Sequence, residues 1–124
     1  AIFSDGWRPG WLNHWPPNEK PYYWPEGFNL RLVSACIDHW KPISGWSLEK
    51  NKKCNPGPKP IRRLVPAGSV YFFEIEGNLD AAALAENLWL RSVCDNEQDR
   101  RDGFGLALWG VWDYADENIV NEQE

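Results

Sequence analysis

The stretch Ser69-Val70-Tyr71-Phe72-Phe73-Glu74-Ile75-Glu76-Gly77-Asn78-Leu79-Asp80-Ala81-Ala82-Ala83-Leu84-Ala85-Glu86-Asn87-Leu88 changes its hydrophobic period half-way along. From Ser69 to Glu76 it alternates as a strand does. Tyr71, Phe73 and Ile75 point one way; Val70, Phe72, Glu74 and Glu76 point the other. Gly77-Asn78 breaks that strand. Asn78 is suited to cap a helix, with Asp80 in its first turn complementing the dipole. The predicted helix runs to about Leu90 and buries a stripe of Ala81, Leu84, Ala85 and Leu88.

Upstream, Leu30 to Ile37 predicts a strand with at least one apolar face, Val33, Ala35 and Ile37 alternating with Leu32, Ser34 and Cys36. Ile43 to Leu48 predicts a second, short strand kinked near Gly45. Residues 49–60 are rich in Lys, Asn, Pro and Gly and predict an exposed loop that continues no regular element. Downstream, Asp95 to Asp102 reads as a polar, charged loop, and Phe104 to Trp112 as a glycine-punctuated strand. The order strand, short strand, loop, strand, helix, strand is α+β. It is most of a ferredoxin-like unit (βαββαβ) lacking its first strand and helix. The missing elements are expected upstream in a longer parent chain, or replaced by residues 1–28.

Residues 1–28 alternate Trp7, Trp11, Trp15 and Trp24 with Pro9, Pro16, Pro17, Pro21 and Pro25. That proline density forbids a helix, so an irregular segment pinned by aromatic side chains is expected. Packing is the commoner fate of such rings, although exposed tryptophans also stack on bases. Three parts follow: the Trp/Pro-rich segment 1–28, a ferredoxin-like domain 29–113 with a basic loop at 49–63, and an acidic tail 114–124 expected to fray.

A chain of 124 residues, 43% hydrophobic and 25% charged, can bury one core and is not a disordered sequence. No apolar run approaches the roughly 18–20 residues that span a bilayer. Cys36, Cys54 and Cys94 lack the close pairing of a zinc site or a disulfide framework, which favours a reducing cytoplasm. The net charge is −5, but Lys50, Lys52, Lys53, Lys59, Arg62 and Arg63 put +6 into one acid-free stretch and leave −11 elsewhere. A local patch of that kind attracts a polyanion despite the acidic total. A solvated Pro-rich surface loop accounts for it equally well.

Catalysis finds little support. His14 and His39 have no neighbouring nucleophile and no metal-ligand spacing. Ser69 enters a strand, whereas a nucleophile elbow leaves one. Glu74 and Glu76 share a strand face, which suits a cation but is more often a solvated face. No catalytic residue, metal or cofactor is expected.

Gly103-Phe104-Gly105-Leu106-Ala107-Leu108-Trp109-Gly110 follows Arg100-Arg101. It is no dinucleotide fingerprint and no phosphate loop, because no helix follows it and it has no Lys-Ser/Thr. Glycines there let a nucleic-acid backbone approach main-chain amides. A β-bulge or a crowded strand start explains them as well.

The Gly103-Phe104-Gly105 run with Gly110 resembles the C-terminal glycine-rich loop of the RAMP superfamily, the repeat-associated RNA-binding proteins of CRISPR systems. Phe3-Ser4-Asp5-Gly6-Trp7 with Pro9, Ile43-Ser44-Gly45-Trp46, and Val65-Pro66-Ala67-Gly68-Ser69-Val70-Tyr71-Phe72 are similar to the C-terminal half of Cmr subunit three, a RAMP subunit of type III-B effector complexes. The likeness covers about residues 1–112. It implies a RAMP ferredoxin-like fold and a cytoplasmic, non-catalytic subunit. That subunit would hold the 5′ repeat-derived tag of the guide RNA and dock on the large Cas10-type subunit beside other RAMP subunits. RAMP glycine loops often carry Lys or Arg between the later glycines, whereas Leu106 to Trp109 are apolar. Phosphate neutralisation then falls to Arg100, Arg101 or the 50–63 stretch. The expected RNA-binding set is Gly103, Phe104, Gly105, Gly110, Arg100, Arg101, Lys50, Lys52, Lys53, Lys59, Arg62 and Arg63. Two alternatives stand beside it: a RAMP-type endoribonuclease using His14 or His39, and a protein-interaction module that touches no RNA.

Overall fold

The computed structural model describes residues 1–4, 6–13, 20–26, 29–48, 55–77 and 80–112. His14, Lys50, Lys52, Lys53, Cys54, Asn78 and the acidic tail 114–124 lie outside these residues. Two strands dominate, β1 (Asn29–Cys36) and β6 (Val70–Glu76), close to the spans their alternation predicts. They pair antiparallel from Asn29↔Glu76 to Cys36↔Val70. The register slips between Leu32 and Ser34, so Val33 forms a bulge and is half exposed. The slip changes which residues of β1 are covered. Leu30 and Leu32, opposite Ile75 and Phe73, are half-buried, and Ala35 beyond the bulge is exposed. On the opposite face Arg31 forms a cross-strand ion pair with Glu74.

Among the described residues between β1 and β6 are four short strands: β2 (Lys41–Ile43), β3 (Trp46–Ser47), β4 (Gly57–Pro58) and β5 (Arg62–Leu64). β2 pairs with β5, and β3 with β4, both antiparallel. The expected Ile43–Leu48 strand is thus two pieces either side of Ser44-Gly45. Part of the expected 49–60 loop is the returning arm of a hairpin. Pro58 is compatible with that arm because it pairs over only two residues at a sheet edge. The next backbone donor, Lys59 N–H, reaches Gly45 O at 2.7 Å.

The described residues therefore form a small mixed α/β fold with three two-stranded antiparallel sheets. A continuous ferredoxin-like sheet is not formed among them. The predicted strand Phe104–Trp112 contributes only a bridge between Leu106 and Ser92. It runs beside the chain leaving the helix: Val93 N–H reaches Gly105 O at 2.8 Å, Leu90 N–H reaches Ala107 O at 3.0 Å, and Ala107 N–H reaches Arg91 O at 3.2 Å. Positive φ at Leu90 (55°) and Gly105 (76°) turns both segments out of strand geometry and ends the ladder.

Helix α1 (Ala81–Leu88) is capped by Asp80, whose carboxylate accepts from Ala82 N–H at 3.0 Å, so the residue assigned to the first turn is the cap itself. Leu84 and Leu88 are its buried stripe, with Ala81 and Ala85 half-buried beside them. They pack under Trp11 and Trp24, and Leu12, Tyr23, Leu30, Phe73, Ile75, Val93 and Trp109 complete the core. Trp11 lies 4.8 Å from Trp24 and 5.5 Å from Phe73 between ring centroids, close enough for direct ring contact. The irregular N-terminal segment is thus a lid of aromatic rings on the helix and β6. Among the described residues of this segment, Gly10–Asn13 form a 3-10 helix.

Candidate nucleic-acid interface

The described residues expected to bind RNA fall on two regions: a second helix with the glycine-bearing segment after it, and the β2–β5 hairpin. Residues 95–102, read as a loop, contain α2 (Glu97–Arg101). Asn96 caps it by accepting from Asp99 N–H at 2.8 Å, Glu97 and Asp99 sit in its first turn, and Arg100 and Arg101 in its last. These are ordinary helix start and stop signals compressed into five residues, and the sequence reading passed over them. At the C-terminus Gly103 N–H reaches Arg100 O at 3.2 Å and Phe104 N–H reaches Asp99 O at 3.0 Å. That bond pair is a Schellman motif, with Gly103 at φ +84° as its left-handed residue.

The glycine run therefore has a local reason to exist. The amides of Gly103 and Phe104 already cap α2. A Cβ on Gly103 would meet open space, whereas one on Gly105 would lie 2.6 Å from Cys94 Sγ and 3.1 Å from Cys94 N. Gly105 faces the interior, and Gly110 faces open space. Phe104 is half-buried, and its carbonyl accepts from Ser92 Oγ at 2.5 Å.

Two of the expected cations are engaged by acceptors of the protein itself, Arg100 half-buried and Arg62 still partly exposed. Arg100 Nη1 donates to Cys94 O at 2.9 Å and Asp95 O at 2.8 Å. Arg62 grips the Asp99 carboxylate with Nη1–Oδ1 and Nη2–Oδ2 both at 2.5 Å. Asp99 is only 2% exposed, and its hydrogen bond raises the Arg62 pKa further above the ordinary guanidinium value. Arg101 is exposed and paired with Glu97 one helical turn away. Lys59 and Arg63 are exposed on the hairpin, with the Arg63 guanidinium 5.4 Å from the Trp40 ring centroid.

A second buried acid escaped the sequence reading. Asp95, 5% exposed, accepts from Ser4 N–H (2.5 Å), Ser4 Oγ–H (2.8 Å) and Gly10 N–H (2.8 Å). It ties down the N-terminal motif, which gives Ser4 and Gly10 a structural role. The Pro66-Ala67-Gly68-Ser69 motif is a β-turn with Gly68 at φ +87° and Ser69 N–H bonded to Pro66 O at 3.4 Å. His39 is exposed, and its Nδ1 lies 3.1 Å from Oδ1 of the neighbouring Asp38. Glu74 is held by Arg31, and no group of three or more metal-ligating side chains occurs among the described residues. No described helix is long and apolar enough to cross a membrane.

No curated protein and no solved structure matches the chain significantly. A family model does: that of CRISPR-associated protein (Cas_Cmr3), over residues 1–112. The match spans every described residue, including the Asp95-bound N-terminal motif, the hairpin, the Pro66–Ser69 turn and the capped α2. The chain belongs to this CRISPR-associated Cmr3 family, a component of the type III-B Cmr effector complex.

Proposed function

We propose that the chain is a non-catalytic, cytoplasmic RNA-binding part of the Cmr complex that holds the 5′ repeat-derived tag of the guide RNA and docks on the large Cas10-type subunit. The observation that carries the reading is the hairpin. Between residues 39 and 64 the sequence has seven Lys and Arg and one acid, in a chain whose net charge is −5. Lys41, Lys59 and Arg63 of that segment are exposed. Such a concentration on an acidic body draws a phosphate backbone to one place. Lys50, Lys52 and Lys53 add to the same charge in sequence. Arg101 and the open side of Gly103 and Gly110 belong to the proposal as a secondary contact, whereas Arg62, Arg100 and Gly105 serve it by holding the framework.

Docking has its own support. Trp89, Leu90, Leu106, Leu108, Val111 and Trp112 are each about half exposed or more, and the Leu90 N–H to Ala107 O bond brings their two segments side by side. Exposed apolar side chains in this number suit a surface covered by another subunit.

Filter binding of the chain to repeat-tag RNA at two salt concentrations tests the reading. Lys59→Ala with Arg63→Ala is expected to weaken binding and to flatten the salt dependence by roughly 0.7 per lost phosphate contact. Unchanged affinity and slope would remove the hairpin from the site. Incubation with repeat and target RNA, with and without magnesium or manganese, is expected to yield no cleavage. Cutting that vanished on His14→Ala or His39→Ala would replace the scaffold by a nuclease.

A further inference from the structure

Adjacent arginines on β5 have opposite tasks because strand side chains alternate. Arg62 stands opposite Ile43 and reaches Asp99, which fastens the hairpin to α2. Arg63 stands opposite Pro42 and lies on the other face, over the ring of Trp40 two residues before Pro42. The guanidinium and indole thus form a cation–π pair directed away from the anchoring side. Trp40 keeps 43% of its surface in water and Trp46, on the neighbouring β3, keeps 62%. This contrasts with Trp11 and Trp24, which the same chain buries to 8% exposure.

We propose that the hairpin around Arg63 is a base-stacking site for single-stranded RNA: unpaired nucleobases stack on Trp40 with its Arg63 partner and on the exposed ring of Trp46 further along the hairpin, while Arg63 and the exposed Lys59 meet the phosphates. The inference rests on the RNA-binding reading above and deepens it, because the cations alone would hold any polyanion. Exposed indole rings and a flat guanidinium offer π-faces that every base can use, and they distinguish a strand with open bases from a duplex or a bare backbone. Charge favours RNA over a protein partner. Lysine is depleted from the centres of protein interfaces, whereas this segment carries seven cations against one acid.

The test is fluorescence anisotropy of the chain with two labelled strands of equal length, oligouridine and an abasic ribose-phosphate oligomer. The chain should bind oligouridine the more tightly. Trp40→Leu and Trp46→Leu, which keep apolar bulk but remove the ring, should each weaken oligouridine binding roughly tenfold. They should leave the abasic strand unaffected, and Trp40→Phe should retain most of the affinity. Arg63→Ala should weaken both strands. Equal wild-type affinity for the two strands would overturn stacking, whether or not a variant unfolds. So would full oligouridine affinity in both Leu variants. In either case RNA binding itself would stand. Binding of neither strand by the wild-type chain would bring down the RNA reading and the stacking site together. Leu variants that bind RNA normally but no longer associate with the purified large subunit would reassign the site to protein.

Discussion

The Arg62 guanidinium meets the Asp99 carboxylate through two parallel hydrogen bonds, 37 residues apart in sequence, with the Asp99 side chain only 3% exposed. This fork joins the basic hairpin to α2. It also explains how the chain tolerates a buried acid beneath an exposed basic segment.

Removing one member of such a pair costs more than the pair contributes, because the survivor is left buried and charged. Arg62→Ala is expected to lower stability by about 2–4 kcal/mol. Arg62→Lys should recover only part of this, since an ammonium cannot form the fork. Asp99→Asn should cost less than Arg62→Ala. Urea unfolding of the three variants checks the order. Equal stability of Arg62→Ala and the parent would mean the fork is not formed.

The two glycines after α2 should respond differently. A Cβ on Gly105 runs into Cys94 Sγ at 2.6 Å and sits at φ +76°, so Gly105→Ala combines overpacking with left-handed strain. About 2–4 kcal/mol is expected. Gly103→Ala meets no neighbour and carries only the strain of φ +84°, about 1–2 kcal/mol. Thermal unfolding of both decides it. An equal loss would show that packing against Cys94 is unimportant.

Tyr71 donates its phenol proton to Trp7 O at 2.7 Å, and burial pushes its pKa from the ordinary 10.0 up to about 12. The folded state binds that proton more tightly than the unfolded state. The contribution is therefore complete below pH 10 and is lost as pH rises through 12. Tyr71→Phe should be less stable than the parent at neutral pH, but its unfolding midpoint should fall less steeply across that alkaline window. Parallel slopes would remove Tyr71 as the source.

The thiols are separable by access. Cys94 is fully buried, its Sγ accepts from Ile2 N–H at 3.2 Å, and burial pushes its pKa up. Cys36 is exposed. In a Cys54→Ser background, an aromatic disulfide reagent at neutral pH should modify Cys36 more than about tenfold faster than Cys94. Rapid modification of both without denaturant would mean that the N-terminal lid opens readily.

By itself the sequence determined the elements whose pattern is local. The alternation in 69–76 and the spacing of Leu84 and Leu88 specify β6 and α1, because period alone says which face must leave water. It also determined family membership, carried by short motifs along residues 1–112. Even α2 was legible in Asn96, Glu97, Arg100 and Gly103, a cap, a first-turn acid, a last-turn base and a stop. What only the tertiary structure decided is the task of each charged or glycine residue. Arg62 and Arg63 are neighbours of one type, yet one is bound to a buried carboxylate and the other lies over an indole. Pairing of β2 with β5, set by contacts distant in sequence, assigns their faces. Gly103 and Gly105 look alike in sequence too, and the position of Cys94 alone separates a helix stop from a packing contact. Composition located the charge. Three-dimensional pairing divided it between framework and surface, because a buried acid must hold a cation before any cation is left for a ligand.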